Sequence, residues 1–275
     1  MKLLKAFSAN KRKKPVEMIL ITMVICWISL LILMPLYGIV KEVFHSGLTA
    51  CFSSLNEPAA IHAFNLTLWL TIGSVTVNTV FGIILALVLV RQEFKGKLGL
   101  NGLIDLPFAV SPVVAGFMFI TLFGPYGWIG SLFEARDIKI IYAFPGMMIA
   151  TLFVTLPFVV REVVPVLREF GVDQEEAAFV LGASKWQTFW QVTLPSIKWG
   201  LIYGITLTMA RSIGEFGAVL VVSGAIINRT QSATLYVHQK FTDFDYGGAF
   251  TASVVLALVS FITLIVMQYI QKKKI

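Results

Sequence analysis

Six long apolar stretches dominate this chain of 275 residues, and five of them contain no charged side chain. A helix needs about 20 mostly apolar residues to cross the hydrocarbon core of a bilayer. The stretches cover residues 18–40, 63–90, 106–133, 140–160, 199–223 and 246–269. Charged residues make up 13% of the chain, about half the share found in soluble domains. We therefore predict an all-α membrane protein with six transmembrane helices.

The basic residues predict how these helices are oriented. If the loops alternate between two faces, one face carries sixteen of the 22 lysines and arginines, and the positive-inside rule makes that face cytoplasmic. Both termini are then cytoplasmic. Clustering of cations on one side of a bilayer also argues against a nucleic-acid partner. The run 18–40 exceeds the apolar region of a signal peptide, about 7–15 residues, so we predict that it is a retained span.

The chain divides into two predicted parts. Residues 1–62 are expected to form a basic cytoplasmic tail, the first span and an extracytoplasmic loop. Residues 63–275 are expected to form a transmembrane core, with a cytoplasmic loop at about 168–198.

The sequence contains no pattern that indicates an enzyme. Two cysteines, Cys26 and Cys51, and three scattered histidines lack the spacing of a metal site. The chain contains neither the phosphate-binding loop Gly-x-x-x-x-Gly-Lys-Ser/Thr nor a nucleophile elbow. We predict no catalytic residue, no metal site and no cofactor bound by this chain.

Two spans contain several prolines, which remove helical hydrogen bonds and bend helices. Span three has Pro107, Pro112 and Pro125, and span four has Pro145 and Pro157. In a bilayer the freed carbonyls need neighbouring helices or water as partners. The pattern predicts either kinked packing or helices that bend around a translocation path.

The predicted cytoplasmic loop carries signals for two short helices. Two pairs have the spacing of a capping box, namely Asp173 with Glu176 and Ser184 with Gln187. They predict helices at 174–181 and 185–192, with Gly182 between them in the left-handed conformation usual after a helix. Pro195 is predicted to end the second helix before the chain returns to the membrane.

Small and large apolar residues alternate in this loop. The small residues are Ala177, Ala178 and Gly182, and the large ones are Phe179, Trp186, Phe189 and Trp190. Ala178 and Gly182 are four residues apart and share a helix face. The composition is typical of a protein docking surface and equally of a helix pair lying on lipid headgroups, so both interpretations stay open.

The spacing in the loop resembles the EAA motif of permease subunits of bacterial ABC importers. The corresponding positions are Glu176, Ala177, Ala178, Gly182, Val192, Leu194 and Pro195. The family has Ile where Val192 stands. In that family the loop forms a coupling helix that sits in a groove of the ATP-hydrolysing subunit. The resemblance implies that Glu176, Ala177, Ala178 and Gly182 contact such an ATPase.

Two further segments resemble sulfate permeases. They are DLPFAVSPVVAG at 105–116 and ARSIGEFGAVLVVSG at 210–224, while the shorter core GEFGA is shared with molybdate permeases. The chain is most similar to the CysW-type permease subunits of sulfate/thiosulfate importers. The resemblance implies the type I importer fold, in which this chain forms half of the translocation pathway.

The same resemblance implies partners and a location. The partners are a second, similar permease subunit, two cytoplasmic ATP-binding subunits that hold ATP and Mg²⁺, an extracytoplasmic sulfate-binding protein, and membrane lipid. The implied location is the bacterial cytoplasmic membrane.

Arg211 and Glu215 are the clearest charges inside a predicted span. They lie four residues apart on one helix face and can pair, and a charge at the bilayer centre costs about 2.5 kcal/mol or more. Arg211 either lines the path of an oxyanion, which a guanidinium matches well, or pairs only to hold the packing, or snorkels to the interface. Backbone amides at helix breaks can also bind anions, so we add Ser111, Gly116, Ser212, Gly214 and Ser223 as candidates.

Asp105 lies at the predicted cytoplasmic entrance of span three. A carboxylate there would repel an anionic substrate. We predict that Asp105 is an interfacial cap or pairs with Arg91, Lys95 or Lys97.

Two alternative functions remain. One is a molybdate or tungstate permease, since these ions share the tetrahedral shape of sulfate. The other is a gradient-driven anion transporter or channel, which predicts discontinuous helices in both halves of the chain. The prolines cluster in spans three and four, with no counterpart after Gly217, and a gradient-driven carrier would leave the loop at 168–198 unexplained.

Overall fold

The computed structural model of the chain describes residues 14–134 and 136–272. The predicted basic tail at 1–13 and the C-terminal residues Lys273 and Lys274 lie outside the described residues. Within them the secondary structure is helical and contains no strand, which confirms the all-α prediction.

The α-helices are numbered in chain order. They are α1 (Lys14–Ile28), α2 (Met34–Ser46), α3 (Leu48–Leu55), α4 (Pro58–Arg91), α5 (Lys97–Ala109), α6 (Pro112–Phe123), α7 (Gly130–Glu134), α8 (Phe144–Phe170), α9 (Asp173–Val180), α10 (Lys185–Thr188), α11 (Leu194–Ile213), α12 (Gly217–Ser223), α13 (Ala233–Thr242) and α14 (Tyr246–Lys272). Two π-helical segments, Ser29–Leu33 and Phe189–Thr193, join α1 to α2 and α10 to α11.

Four helical segments are long and apolar enough to cross a membrane. They are Glu17–His45, Pro58–Arg91, Phe144–Phe170 and Tyr246–Met267. The other two predicted spans are bent pairs: α5 and α6 meet at 113°, and the continuous helix Lys185–Ile213 meets α12 at 53°. The six predicted spans therefore correspond to four continuous helices and two broken ones.

The prolines break one span and leave the next intact. Span three is interrupted at Val110 and Ser111, immediately before Pro112. Span four, α8, stays continuous for 27 residues although Pro157 and Pro165 lie inside it. The break in span five falls between Ile213 and Gly217, where no proline occurs. The expectation that discontinuities concentrate in spans three and four is therefore wrong, because a glycine-containing segment breaks span five instead.

Helix α8 is the centre of the bundle, with α4 on one side and α11 on the other. Val159 of α8 is fully buried between two glycines. A Cβ atom added at Gly82 would lie 2.7 Å from Val159 Cγ1, and one added at Gly204 would lie 2.8 Å from Val159 Cα. Small residues at helix contacts let backbones approach closely inside a bilayer, so these glycines allow the three helices to pack together.

One face of α4 carries polar side chains that hydrogen-bond to other helices. The Thr67 hydroxyl accepts a hydrogen bond from the Ala233 N–H at 2.8 Å. Ser74 and Ser212 hydroxyls are 2.8 Å apart, and the Asn78 amide donates to the Thr155 hydroxyl at 2.8 Å. Polar side chains of this kind hold helices together where no water competes.

Candidate coupling surface and anion pathway

Helix α9 ends in a glycine motif that sets the direction of the following chain. The Gly182 N–H donates to the Phe179 carbonyl and the Ala183 N–H to the Ala178 carbonyl, both at 3.0 Å. This pairing defines the Schellman motif. Gly182 has φ +89°, a conformation in which a residue with a Cβ is strained. The prediction of a left-handed glycine at this position is confirmed.

Only one of the two predicted capping boxes forms. Gln187 N–H donates to the Ser184 hydroxyl at 3.3 Å, and Ser184 N–H donates to the Gln187 side-chain oxygen at 2.8 Å. The box predicted for Asp173 and Glu176 is wrong: α9 begins at Asp173 itself, after Val172, and no side chain caps it. Asp173 is already helical, so it is not an N-cap residue, whose extended backbone aims the side chain at the first amides.

The turn after α9 presents an apolar surface. Val180 is 87% exposed and Leu181 88%, and Phe179 is 46% exposed. Glu176, Ala177 and Gly182 are exposed beside them, and Ala178 is partly exposed. We call these seven residues the docking surface. Large apolar side chains that are exposed together indicate a site covered by another molecule.

The remaining motif residues lie in the stem of span five rather than on the docking surface. The predicted end of the second helix at Pro195 is wrong, because Lys185–Ile213 is one continuous helix. The Leu194 N–H donates to the Phe189 carbonyl, a π-type bond, and this wider turn accommodates the proline without a break. Val192 and Leu194 are partly buried, whereas Pro195 is exposed.

Three aromatic rings form a cluster at the start of this helix. Trp186 stacks near Phe189 with ring centroids 6.1 Å apart, and Trp190 meets both rings edge-on. Trp186 is 69% exposed and Trp190 51%. The cluster sits at the base of a membrane span, where amphipathic aromatic rings favour the interface, so the lipid interpretation applies to these rings and the docking interpretation to α9.

Glu175 turns inward where Glu176 turns outward. The Thr193 hydroxyl donates to Glu175 Oε1 at 2.8 Å, and Arg91 Nε lies 3.0 Å from Glu175 Oε2. Arg91 also donates to the Gly171 carbonyl at 2.5 Å. Sequence reasoning missed this group; its signal was a single arginine ending a 28-residue uncharged stretch.

Arg211 and Glu215 pair across the break in span five. Arg211 Nη1 lies 2.5 Å from Glu215 Oε2, and the Arg211 side chain is 32% exposed against 2% for Glu215. Glu215 also accepts a hydrogen bond from the Ala218 N–H at 2.9 Å. The cation therefore lies at the C-terminus of α11 and the carboxylate at the N-terminus of α12, and each charge complements its helix dipole. Arg211 is about 25 Å along the helix from Leu194, too far to snorkel to that end.

The two breaks in the bundle touch each other. A Cβ atom added at Gly217 would lie 3.0 Å from Pro112 Cβ. One turn further on, a Cβ at Gly116 would lie 2.7 Å from Val221 Cβ and 3.0 Å from the Ala218 carbonyl oxygen. Helices α6 and α12 thus pack with little space between their backbones. Gly116 serves this contact rather than an open path.

The other pathway candidates fall into two groups. Ser212 and Ser223 are buried and hydrogen-bonded, Ser212 to Ser74 and Ser223 to the Ala225 N–H. Ser111 and Gly214 are exposed at the two breaks. Only Ser111, Gly214 and the open side of Arg211 remain accessible to an anion in this chain.

Asp105 has a different partner from the ones predicted. It lies inside α5, and Arg161 of α8 binds both of its carboxylate oxygens, at 2.6 and 2.5 Å. The predicted partners Arg91, Lys95 and Lys97 are not used: Arg91 binds Glu175 and Lys97 binds Glu93. Sequence separation hid the pair, since 56 residues lie between its members.

Comparison with known proteins identifies the family. The model described as "Binding-protein-dependent transport system inner membrane component" matches residues 78–275. The chain belongs to this family. This permease is 46% identical over 258 residues to the sulfate transport system permease protein CysW of Synechocystis sp., with 94% of each chain covered. It is 44% identical to CysW of Escherichia coli, covering 88% of this chain and 84% of that protein, and 38% identical to CysT of the same organism, covering 84% of each.

Solved structures show the same fold. A bacterial ABC transporter involved in alginate import superposes with a TM-score of 0.79 at 17% identity, covering 98% of this chain and 99% of that chain. The inward-facing methionine ABC transporter gives 0.59 at 16% identity, covering 78% and 94%. The permease therefore has the fold of a type I ABC importer permease, as predicted. It is a multi-pass membrane protein of a transporter with partner subunits.

The end of the permease opposite the docking surface holds a second ion network. Lys240 of α13 lies 2.7 Å from Glu57 and 3.0 Å from Asp245, and Tyr236 donates to Glu57 at 2.9 Å. The hydrogen bond from Lys240 lowers the pKa of Glu57. The Gly248 N–H and then Lys240 lower the pKa of Asp245.

The same contacts act on the two partners of these carboxylates. Burial disfavours the ammonium of Lys240, but the hydrogen bonds to Glu57 and Asp245 outweigh it and raise the Lys240 pKa. Burial and the hydrogen bond to Glu57 raise the pKa of Tyr236 to about 12. The network therefore favours its charged carboxylates and ammonium together with a protonated tyrosine, and it ties α13 to the starts of α4 and α14.

Proposed function

We propose that this permease is a subunit of an ATP-driven importer of sulfate and thiosulfate in the bacterial cytoplasmic membrane. The observation that carries the proposal is 44–46% identity to CysW proteins over 88–94% of this chain. The two segments that resemble sulfate permeases, 105–116 and 210–224, contain the two breaks that meet inside the bundle. The resemblance thus falls on the part of the fold closest to a translocation path.

The energy comes from a partner subunit in this proposal. The chain contains no phosphate-binding loop, so ATP and Mg²⁺ belong to two cytoplasmic ATPase subunits. Glu176, Ala177, Ala178 and Gly182 lie on the exposed docking surface with Val180 and Leu181. A short helix with exposed apolar side chains is suited to a hydrophobic groove. Closure of the ATPases would pull on this helix and rock the bundle between inward- and outward-facing states.

The anion path is assigned to the accessible groups at the breaks. Arg211 keeps a third of its side chain exposed while one nitrogen pairs with Glu215, and a guanidinium has further N–H groups that suit a tetrahedral oxyanion. Ser111 and Gly214 are exposed nearby in the sequence of the breaks. A second, similar permease subunit would complete the path, and an extracytoplasmic sulfate-binding protein would deliver the anion.

The docking assignment is tested with two glycines of equal backbone strain. Gly182 and Gly47 have φ +89° and +86°, and no atom lies within 4 Å of a Cβ added to either. Gly182→Val should lower sulfate uptake about tenfold, within the usual range of coupling energies, while the chain still inserts. Gly47→Val, outside the docking surface, is the matched control. Equal uptake by both variants would contradict the docking role.

The substrate is tested by radiolabelled sulfate uptake in cells that lack this chain and are then given it back. Restored uptake that excess thiosulfate suppresses, and molybdate suppresses only weakly, is the expected result. Restored molybdate uptake with sulfate uptake unchanged would favour the molybdate permease, whose GEFGA core this chain shares. Dissipating the ion gradient while ATP is maintained should leave uptake intact; loss of uptake would favour a gradient-driven carrier.

A further inference from the structure

Two adjacent glutamates of the docking helix α9 have opposite environments. Glu176 is exposed on the docking surface, whereas the Glu175 side chain is only 14% exposed. Its ion-pair partner Arg91 is 17% exposed. A carboxylate and a guanidinium that are both largely removed from water interact more strongly than an exposed pair.

This carboxylate joins four separate elements of the fold. Arg91 is the last residue of α4 and contacts both Glu175 oxygens, Oε2 at 3.0 Å and Oε1 at 3.2 Å. The same arginine donates to the carbonyl of Gly171, which ends α8. Thr193, which is buried at the base of α11, donates to Glu175 Oε1. Helix α9 is thus bonded to the ends of three spans.

The covalent connections of α9 are flexible by comparison. Gly171 precedes it with φ +70° and Gly182 follows it with φ +89°. Glycine has more backbone freedom than any other residue, so these connections transmit movement poorly. The side-chain network around Glu175 is the more rigid attachment.

We propose that Glu175 is a positioning residue that transmits the movement of α9 to α4 and α11 through Arg91 and Thr193. The inference rests on the proposed coupling function of α9. Without the carboxylate, α9 can still bind its ATPase through the docking surface, but its displacement no longer moves the spans. Transport then becomes uncoupled from ATP hydrolysis.

A neighbouring ion pair provides the matched control. Lys97 binds Glu93 four residues earlier, and the Glu93 side chain is 88% exposed. This pair bridges residues of one loop and joins no spans. Glu93→Gln removes the same charge as Glu175→Gln, one loop away, without touching the network.

The experiment uses the complete transporter, with its partner permease, ATPase subunits and binding protein, in proteoliposomes. The measured quantity is sulfate transported per ATP hydrolysed, which does not depend on the amount of complex. Glu175→Gln should lower this ratio about fivefold or more, and Glu93→Gln should leave it unchanged. Exchanging the charges with Arg91→Glu and Glu175→Arg should restore part of the ratio.

Several outcomes would overturn the inference. An unchanged ratio in Glu175→Gln would do so, as would uptake and ATP hydrolysis falling in proportion, which is the result of a purely structural role. If Glu175→Gln does not assemble, Thr193→Val decides, because it removes one hydrogen bond and no charge: a lower ratio supports the inference and an unchanged ratio overturns it. Failure of the wild-type complex to transport sulfate would instead contradict the proposed substrate, and the ratio would then be measured with the oxyanion it carries.

Discussion

The two broken spans of this permease are held in different ways. Span three breaks before Pro112, bends by 113°, and has no side-chain cap at Ser111. Span five breaks without a proline, bends by 53°, and has Arg211 and Glu215 paired across the gap. One break is imposed by a residue that cannot continue the helical hydrogen bonds. The other depends on two charges that satisfy the helix ends it exposes.

This difference separates local from tertiary causes. Proline acts through its own ring, so the break in span three does not depend on a charged partner. The break in span five needs an ion pair whose carboxylate is buried, and a buried carboxylate is stable only while it is paired. The charges of span five should therefore be less tolerant of substitution than those of span three.

The largest expected effect follows from removing the cation of span five. Arg211→Ala leaves the carboxylate of Glu215, which is 2% exposed, without its counter-ion. Breaking a buried pair in this way costs about 3 kcal/mol. Thermal unfolding of the purified transporter in detergent should show a markedly lower midpoint. An unchanged midpoint would mean that the pair does not hold the break.

Replacing Arg211 with lysine separates this structural role from a role in transport. Arg211→Lys keeps the charge beside Glu215 but loses the planar fork that matches an oxyanion. We expect a change in stability of less than about 1 kcal/mol together with reduced sulfate uptake. Normal uptake by the lysine variant would leave Arg211 with the structural role alone.

The next effect tests the contact between the two breaks. Gly217→Val would place a side chain 3.0 Å from Pro112 Cβ, and overpacking of this kind costs about 1–3 kcal/mol. Gly102→Ala is the control, since no atom lies within 4 Å of a Cβ at Gly102 in α5. That variant should be neutral or stabilising by up to about 1 kcal/mol, because alanine favours helix. Equal unfolding midpoints for the two variants would contradict the close contact.

Much of the fold could be predicted from residue types alone. The apolar stretches predicted the helices, and Pro112 marked a real break because its effect is local. Span four escaped the same logic: Pro157 is buried inside a continuous α8, where neighbouring helices can satisfy the freed carbonyl. The break after Ile213 could not be predicted, because it rests on an ion pair and on packing against Pro112.

The candidate site divides along the same line. The docking surface was predictable, since Gly182 and the capping box at Ser184 act within a few residues of the chain. The partners of Asp105 and Glu175 were not, because Arg161 and Arg91 are 56 and 84 residues away in sequence. Periodicity can place a charge on a helix face, but it does not say which other helix lies against that face.

A smaller effect is expected for the charged pair of span three. Asp105 and Arg161 are 43% and 29% exposed, so Asp105→Asn should cost about 1 kcal/mol or less. The bend at Ser111 should persist, because Pro112 remains. Distances between spin labels on α5 and α6 measure the bend, and the corresponding distance between α11 and α12 in Arg211→Ala provides the contrast. A straightened span three in Asp105→Asn would show that its break also depends on charge.

The smallest effect concerns the anchor of span five at the end opposite the docking surface. Thr234 of α13 donates to the Glu215 carbonyl at 2.7 Å, and Lys240 holds α13 against Glu57 and Asp245. Lys240→Met should lower stability at neutral pH by up to about 1 kcal/mol, since the groups are partly exposed. Both carboxylates have lowered pKa values in the folded protein, so their contribution is complete above the unfolded values, near 4.

That contribution disappears as the pH falls through the lowered folded values. The difference in unfolding midpoint between the wild type and Lys240→Met should therefore be constant from about pH 5 to 8 and should narrow below about pH 4. Glu93→Gln, which removes an exposed pair elsewhere, serves as the control at each pH. A difference that stays the same at acid pH would mean that Lys240 anchors α13 by packing, for example over the Tyr236 ring 5.6 Å away, and not by its charge. The end of span five would then be held by apolar contact where its break is held by an ion pair.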